Sequence, residues 1–278
     1  MYSFSIAGEM NVNRMGFGAM RITGKGVFGP PADKKAALAV LKRAVELGVN
    51  FIDTADSYGP AVSEELIAEA LYPYPKDLVI ATKGGLERPG PDVWTQNGKP
   101  AHLEKVLNGS LQRLKLDTID LYQLHRIDSK VPAEETFAFL QKAQQEGKVR
   151  HLGLSEVNVD QIKHAQQFFK VVSVQNKYSV DNRQWEPVLQ YCLENEIAFI
   201  PWYPLNAGNV KAQSILQALA GRKSISVHQL ALSWLLHHSP NILLIPGTSS
   251  VAHLEENIAA ANVSLSHDEM IELEGLSA

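Results

Sequence analysis

The sequence predicts a parallel eight-stranded α/β barrel, a (β/α)8 TIM barrel, and three observations carry that expectation. From Met15 onward, eight short apolar runs alternate with stretches of helical periodicity. The chain has 278 residues, close to the ~250 of a closed barrel of this kind. A doubly wound open sheet usually follows its first strand with Gly-x-Gly-x-x-Gly, whereas here Gly16-Phe17-Gly18 is followed by Met20 and Arg21, without the third glycine. We expect residues 1–278 to form one barrel domain with an N-terminal β-hairpin and extra C-terminal helices.

Taken in order, residues 2–12 alternate around Ala7-Gly8-Glu9 and predict the hairpin. Residues 15–20 read as the first barrel strand, with Gly16 and Gly18 marking either a bulge or a close backbone approach by a cofactor. A helical stripe over 33–47 stops at Gly48, and a strand follows over 49–53. The same rhythm predicts helices over 63–71, 103–114, 133–145, 160–168 and 185–194. Between and after these helices it predicts strands over 78–85, 118–125, 149–155, 171–176 and 197–202.

Helices over 211–220 and 227–238 precede a last strand over 242–246, and helices over 251–261 and after Ser266 finish the chain. Ser226 with Gln229, and Ser266 with Glu269, match the capping-box spacing.

The formal net charge of -4 and a pI near 6.1 offer no basic footprint for nucleic acid or for an anionic membrane surface. No apolar run approaches the ~20 residues of a membrane span, and the N-terminus lacks the pattern of a signal peptide. A single cysteine, Cys192, fits a reducing compartment, and its apolar flanks predict buried packing. We therefore expect a cytoplasmic protein acting on a small molecule, with no metal site.

In a parallel barrel the C-terminal ends of all strands open on one face, so polar residues there converge. Asp53, Lys83 and His125 close the second, third and fourth strands, and Tyr58 follows Asp53 on a glycine-bounded loop. Each alone has a structural explanation; together on one face they form a chemical set. A phenol with a reference pKa of ~10 is a poor acid at neutral pH unless a cation stabilises its phenolate. Lys83 can supply that cation, Asp53 can hold the ammonium, and His125 can donate to a carbonyl oxygen or extend the proton path.

With these residues in view, the chain resembles the aldo-keto reductase superfamily along its whole length. The resemblance rests on Asp53-Thr54-Ala55-Asp56-Ser57-Tyr58-Gly59, Thr82-Lys83-Gly84, Leu124-His125, Gly153-Leu154-Ser155, Gln175-Asn176 and Ile245-Pro246-Gly247, in that order. Within the superfamily it is most similar to a bacterial pyridoxal reductase branch, through residues 26–31, 71–74 and 241–250. The resemblance implies hydride transfer from a reduced nicotinamide to an aldehyde or ketone, with Tyr58 as general acid, Lys83 and Asp53 tuning it, and His125 orienting the carbonyl.

It further implies that Ser155, Glu156 and Gln175 hold the nicotinamide carboxamide and that Trp202 stacks on its ring. Gly18 and Met20 would approach the cofactor, and Leu205, Asn206 and Gly208 would cover its pyrophosphate. Gly247, Thr248, Ser249 and Ser250 precede a helix whose N-terminal amides suit an anion; Glu256 and Asn257 correspond to adenine contacts.

Two departures stand out. Glu156 replaces the usual asparagine, and no lysine or arginine stands at Gly247, Ser249 or His253 to pair with the 2'-phosphate of NADPH. Thr248, Ser249, Ser250 and His253 are the hydrogen-bonding substitutes available, with Arg222 a further one if its loop folds over. The expected cofactor is NADPH, with NADH as the alternative.

Substrate choice is expected in the loops over 24–31 and 88–100, where Trp94 is a candidate wall of the pocket. Two other functions stay open at this point: a non-catalytic nicotinamide-binding sensor, and a Schiff-base aldolase using Lys83.

Overall fold

An alternating N-terminal stretch pairs with itself as β1 (Ser3–Ile6) and β2 (Met10–Asn13), antiparallel, with Ile6 opposite Met10. Ala7 and Gly8, both at positive φ, turn the chain between them. In this computed structural model residues 3–203 and 210–277 are described, with side chains from 214 to 276 in the second stretch. Buried Ile6, Met10 and Val12 pack with Phe51, Val79, Leu121 and Leu243 from the barrel strands. The hairpin thus closes one end of the barrel with apolar contacts.

The barrel begins with β3 (Phe17–Gly18), α1 (Lys34–Glu46), β4 (Phe51–Asp53), α2 (Val62–Leu71) and β5 (Val79–Gly84). A second hairpin, β6 (Leu86–Gly90) and β7 (Val93–Gln96), interrupts the alternation before α3 (Pro100–Leu114). Then come β8 (Ile119–Leu124), α4 (Ala133–Gln145), β9 (Val149–Ser155), α5 (Val159–Ala165), β10 (Val171–Gln175), α6 (Glu186–Glu194) and β11 (Ala198–Phe199). The chain ends with α7 (Val210–Lys223), α8 (Val227–His238), α9 (Val251–Ala259) and α10 (His267–Glu274).

Seven strands pair in parallel in the order β3, β4, β5, β8, β9, β10, β11. Residues 242–244 close the ring: Ile242 bridges Phe199 on one side and Leu244 bridges Met15 on the other, both in parallel. This is the eighth strand expected from the sequence, held by isolated bridges rather than a long ladder. Pro246, which has no amide to donate, ends it.

The glycines of the first strand belong to the closure. A Cβ at Gly16 would stand 2.9 Å from the Phe51 carbonyl oxygen, and one at Gly18 would stand 2.4 Å from that of Ile245. Neighbouring strands, not a bulge, require glycine there.

Arg14 completes the closure. It is almost fully buried, and its guanidinium donates to the carbonyls of Ile242 (2.7 Å) and Leu236 (3.0 Å), and also to that of Ser239.

The capping boxes at Ser226 and Ser266 form as expected, and a third at Asn158 with Gln161 starts α5. That helix ends at Ala165, short of the expected 168. The stretch over 88–100 is not an irregular loop: Pro91-Asp92 turns the β6–β7 hairpin, with Asp92 at φ 56°. Cys192 is buried, and burial pushes its thiol up to about 12, so it stays an inert packing group. Among the described residues no helix is long and apolar enough to cross a membrane.

Replacing Arg14 by methionine would strand several buried carbonyls at the seam. The expected cost is about 2–4 kcal/mol, read as a lower denaturant midpoint; an unchanged midpoint would show that the seam does not depend on this side chain.

Candidate active site

Strand register decides which side chains meet. β4 ends on Asp53, which pairs with Ala81; Lys83 lies two residues further along β5 and so returns to the same face. Lys83 has no exposed surface, and its Nζ donates to Asp53 Oδ1 (2.5 Å) and to the Thr54 carbonyl (2.7 Å), with Tyr58 Oη at 3.5 Å. The last distance is long for a hydrogen bond, so the lysine acts on the phenol mainly through its charge.

Asp53 is fully engaged. Its Oδ2 accepts from Gln123 Nε2 (3.1 Å) and Gln175 Nε2 (3.0 Å). Because a carboxylate can only accept, these contacts orient both amides with nitrogen toward Asp53. Gln175, expected to hold a carboxamide, therefore has its carbonyl oxygen left for that purpose and its nitrogen taken.

Tyr58 reaches the same point from its loop, which is tied down by Asp56 N to the Lys83 carbonyl (3.2 Å) and Ala61 N to the Asp56 carbonyl (2.7 Å). Gly59 turns the chain at φ 105°, where a Cβ would stand 2.4 Å from Val62 Cβ. Burial raises the phenol above its ordinary value; Lys83 pulls it down, and Asp53 adds to the rise. The phenol is therefore held protonated, whereas the sequence led us to expect a lowered value: the cation's pull is present, but burial outweighs it. Burial also works against the charge on Lys83, yet Asp53 and Tyr58 together raise its pKa, so the ammonium persists.

His125 follows β8 directly. Its Nδ1 lies 3.3 Å from Ser57 Oγ. Burial first, then the charges of Lys83, Arg126 and Arg88, hold its pKa well below the ordinary histidine value. A neutral imidazole with one N–H results.

These groups open on a cavity of about 800 Å³. It is lined by Asp53, Tyr58 and His125, by Ser155, Gln175 and Trp202, and by Leu86, Trp94 and Gln96. Gly18, Met20, Gly247 and Asn257 are also among its lining residues. Trp94 stands edge-on to both Tyr58 and His125, with ring centroids 6.3 Å apart in each case. Arg88 fixes Trp94 from behind, its Cζ 3.5 Å from the ring centroid, while it donates to the carbonyls of Ser57, Gly26 and Val93.

Several expected residues behave differently. Glu156, at φ 55°, does not line the cavity: its Oε1 accepts from Trp202 Nε1 (2.7 Å) and Lys177 N (2.6 Å), fixing the indole. Thr248, Ser249, Ser250 and Glu256 adjoin the lining residues without entering the lining itself. Thr248 Oγ1 accepts from Ser250 N, and Ser250 Oγ from His253 N, at the start of α9. Arg222 lies in an exposed ion pair with Glu272 (2.5 Å) and is not among the residues lining the cavity. Leu205, Asn206 and Gly208 lie outside the described residues.

Sequence reasoning missed Gln123, Arg21 and Arg126, although two of them carried the signal already in use. Gln123 is two residues before His125 and shares its face, and Arg126 follows a strand end. Arg21 lines the cavity next to Gly18 and Gly247.

Behind Tyr58 lies a further acid. Asp56 is buried, with Oδ1 lacking any partner among the described residues. Burial and the nearby Glu64 raise it well above the carboxylate range. Glu64 is itself buried, accepting from Arg113 Nε (2.7 Å) and Thr82 Oγ1 (2.6 Å).

Residues 14–278 match the aldo/keto reductase family. An uncharacterized oxidoreductase of Schizosaccharomyces pombe is 55% identical over 268 residues, spanning 96% of this chain and 87% of the relative. Pyridoxine 4-dehydrogenase of Escherichia coli is 43% identical over 276 residues, 97% of this chain and 96% of the relative. Among solved structures, a thermostable aldo-keto reductase crystallised with the inhibitor epalrestat superposes with a TM-score of 0.86 at 28% identity over 100% of both chains. An aldo-keto reductase from Klebsiella pneumoniae in complex with NADPH gives 0.81 at 25% identity over 99% of this chain and 94% of that one.

A group whose folded pKa is raised stabilises the fold below its unfolded pKa of ~3.9 and loses that contribution as pH rises through the folded value. Asp56→Asn mimics the neutral acid, so its melting temperature should fall less between pH 5 and pH 8 than that of the wild type. A steeper fall in the variant would mean that the carboxylate form of Asp56 is the one the fold uses.

Proposed function

Because the chain belongs to the aldo/keto reductase family, we propose that it is an NADPH-dependent carbonyl reductase in which Tyr58 is the general acid, with pyridoxal as its leading substrate. The observation that carries this reading is a protonated phenol 3.5 Å from a buried ammonium, at the base of a cavity shared with a neutral imidazole.

The cavity suits a nicotinamide dinucleotide by the chemistry of its lining. Trp202 offers an aromatic face for the ring, its tilt fixed by Glu156. Ser155 and the carbonyl oxygen of Gln175, whose nitrogen is turned to Asp53, suit a carboxamide. Arg21, between Gly18 and Gly247, offers a cation for the phosphates, and the α9 N-terminus adds oriented amides. Hydroxyls at Thr248, Ser249 and Ser250 would take the 2'-phosphate in place of a basic side chain. The NADPH complex of the Klebsiella pneumoniae relative supports this choice over NADH.

When bound, the reduced nicotinamide supplies the hydride to the carbonyl carbon. As negative charge develops on the carbonyl oxygen, the Tyr58 proton moves to it, and Lys83 stabilises the phenolate left behind. The neutral His125 donates a second hydrogen bond to the same oxygen, which a charged imidazole would do with a competing proton to lose. Asp53 keeps the ammonium aimed and charged.

Pyridoxal follows from the Escherichia coli relative named a pyridoxine 4-dehydrogenase, the alcohol and aldehyde being the two sides of one hydride transfer. A Lys83 aldolase is disfavoured because a nucleophilic amine must be neutral, and this one is held charged by its contacts with Asp53, the Thr54 carbonyl and Tyr58.

Nicotinamide absorbance with NADPH or NADH, against pyridoxal and simple aldehydes, tests the reading. Tyr58→Phe should bind NADPH like the wild type and lose about a hundredfold or more of its turnover; normal turnover would remove Tyr58 from the mechanism. Tight NADPH binding with no turnover on any aldehyde would leave a sensor.

Lys83→Met removes the charge that pulls the phenol down. The alkaline limb of the pH-rate profile should shift to higher pH with a lower plateau, and a profile matching the wild type would sink the coupling.

A further inference from the structure

Lys83, Arg126 and Arg88 all act on His125 through their charge, and they differ in what neutralises them. Lys83 faces Asp53. Arg88 is enclosed by three backbone carbonyls and the face of Trp94. Arg126 has neither arrangement. Its guanidinium lines the cavity beside Tyr58 and His125.

The Arg126 Nη1 uses both of its protons, one on the His125 carbonyl (2.5 Å) and one on Ser155 Oγ (2.9 Å). No carboxylate among the described residues pairs with it. The nearest acid that acts on it, Glu156, has its Oε1 engaged by Trp202 and Lys177. The Trp202 ring centroid lies 5.9 Å from Cζ. The Nε and Nη2 donors, one edge of the planar fork, have no partner among the described residues.

Burial lowers the Arg126 pKa, but a guanidinium remains charged in proteins. A partly buried cation with no carboxylate bonded to it and a bidentate edge without a partner among the described residues is costly for stability, and its geometry matches a pair of acceptor oxygens or one anionic oxygen. Its charge acts on both Tyr58 and His125, so the guanidinium stands near the proton-donating residues.

We propose that Arg126 is a specificity residue that receives an anionic oxygen carried by the substrate next to its carbonyl, a phenolate or a carboxylate. The inference rests on the carbonyl-reductase reading and narrows its substrate class. The chemistry gives a reason for the pairing. An ortho phenolate feeds electron density into the aldehyde and slows hydride attack; a guanidinium on that oxygen localises the charge and restores the electrophile. The phenolic oxygen of pyridoxal, ortho to its aldehyde, is one member of this class, and Trp94 supplies an aromatic wall for such a ring.

The test uses matched pairs: salicylaldehyde and 2-carboxybenzaldehyde, assayed ionised, each against 2-methoxybenzaldehyde as a neutral analogue of similar shape. The readout is the ratio of kcat/KM for anion over neutral. Any effect of Arg126 on Tyr58 or on the cofactor acts on both members and cancels in this ratio. Arg126→Met should lower the ratio at least ~10-fold, the scale of a lost charge-assisted hydrogen bond. Arg126→Lys, which keeps charge without the fork, should lower it by less, and keeps the test readable if the methionine variant does not fold. Whichever anion shows the drop identifies phenolate or carboxylate as the ligand.

A binding arm does not depend on turnover: salicylate titrated into the NADP+-loaded protein should lose at least ~10-fold in affinity in Arg126→Met, with benzamide as the neutral control. Equal ratios in all variants, or equal salicylate affinity, would overturn the proposal. An absence of turnover by the wild type would instead sink the reductase reading, while salicylate binding would still decide the role of Arg126.

Discussion

An ammonium with no exposed surface cannot stand alone, and the Lys83–Asp53 ion pair is the constraint from which the rest of the site follows. Bringing a lysine into the interior works against its charge, and only a close acid with its own remaining valences satisfied can hold the pair together. Asp53 meets that condition because Gln123 and Gln175 occupy its second oxygen. Three strands, β4, β8 and β10, thus converge on one carboxylate, and a fourth, β5, brings the lysine. Losing β4 or β5 would leave a buried charge uncompensated, and losing β8 or β10 would remove a donor from Asp53, so site geometry and barrel integrity are one problem here.

The barrel separates the two demands by end. At one end the β1–β2 hairpin closes the interior with Ile6, Met10 and Val12. At the other, strand ends deliver Asp53, His125 and Gln175 to a cavity, with Lys83 buried behind Asp53 and Tyr58. Closure at the Arg14 seam keeps the ring from opening where the last strand is held only by bridges. Because the apolar end carries the packing, the polar end can accept an Asp56 oxygen and an Arg126 edge that have no partner among the described residues. Both would be poor choices in a site selected for stability alone.

Much of this was legible in the sequence, and the reason is periodicity. Strand ends can be counted along the chain, so Asp53, Lys83 and His125 could be assigned to one face before any coordinate was seen, and Tyr58 came with its glycine turn. Three-dimensional competition for hydrogen bonds was not legible. Nothing in the order of residues says that Gln175 turns its nitrogen to Asp53, that Glu156 binds the Trp202 indole, or that Arg222 pairs with Glu272. The β6–β7 hairpin was hidden because its Pro-Gly-Pro-Asp turn has the composition of a loop. The balance between burial and Lys83 on the Tyr58 proton was hidden too, since it depends on depth, which sequence reports only in outline.

That balance has a mechanistic consequence. A general acid must hold its proton until charge develops and then release it easily. Burial raises Tyr58 and so keeps the proton in place in the resting state, while Lys83 acts most strongly on the phenolate, the form that exists only after transfer. The two effects therefore operate at different stages of the same step rather than opposing each other. A neutral His125 fits this division, because it donates a hydrogen bond without offering a second labile charge. Stabilisation is concentrated where the charge appears, which is the condition for lowering a barrier rather than merely tightening binding.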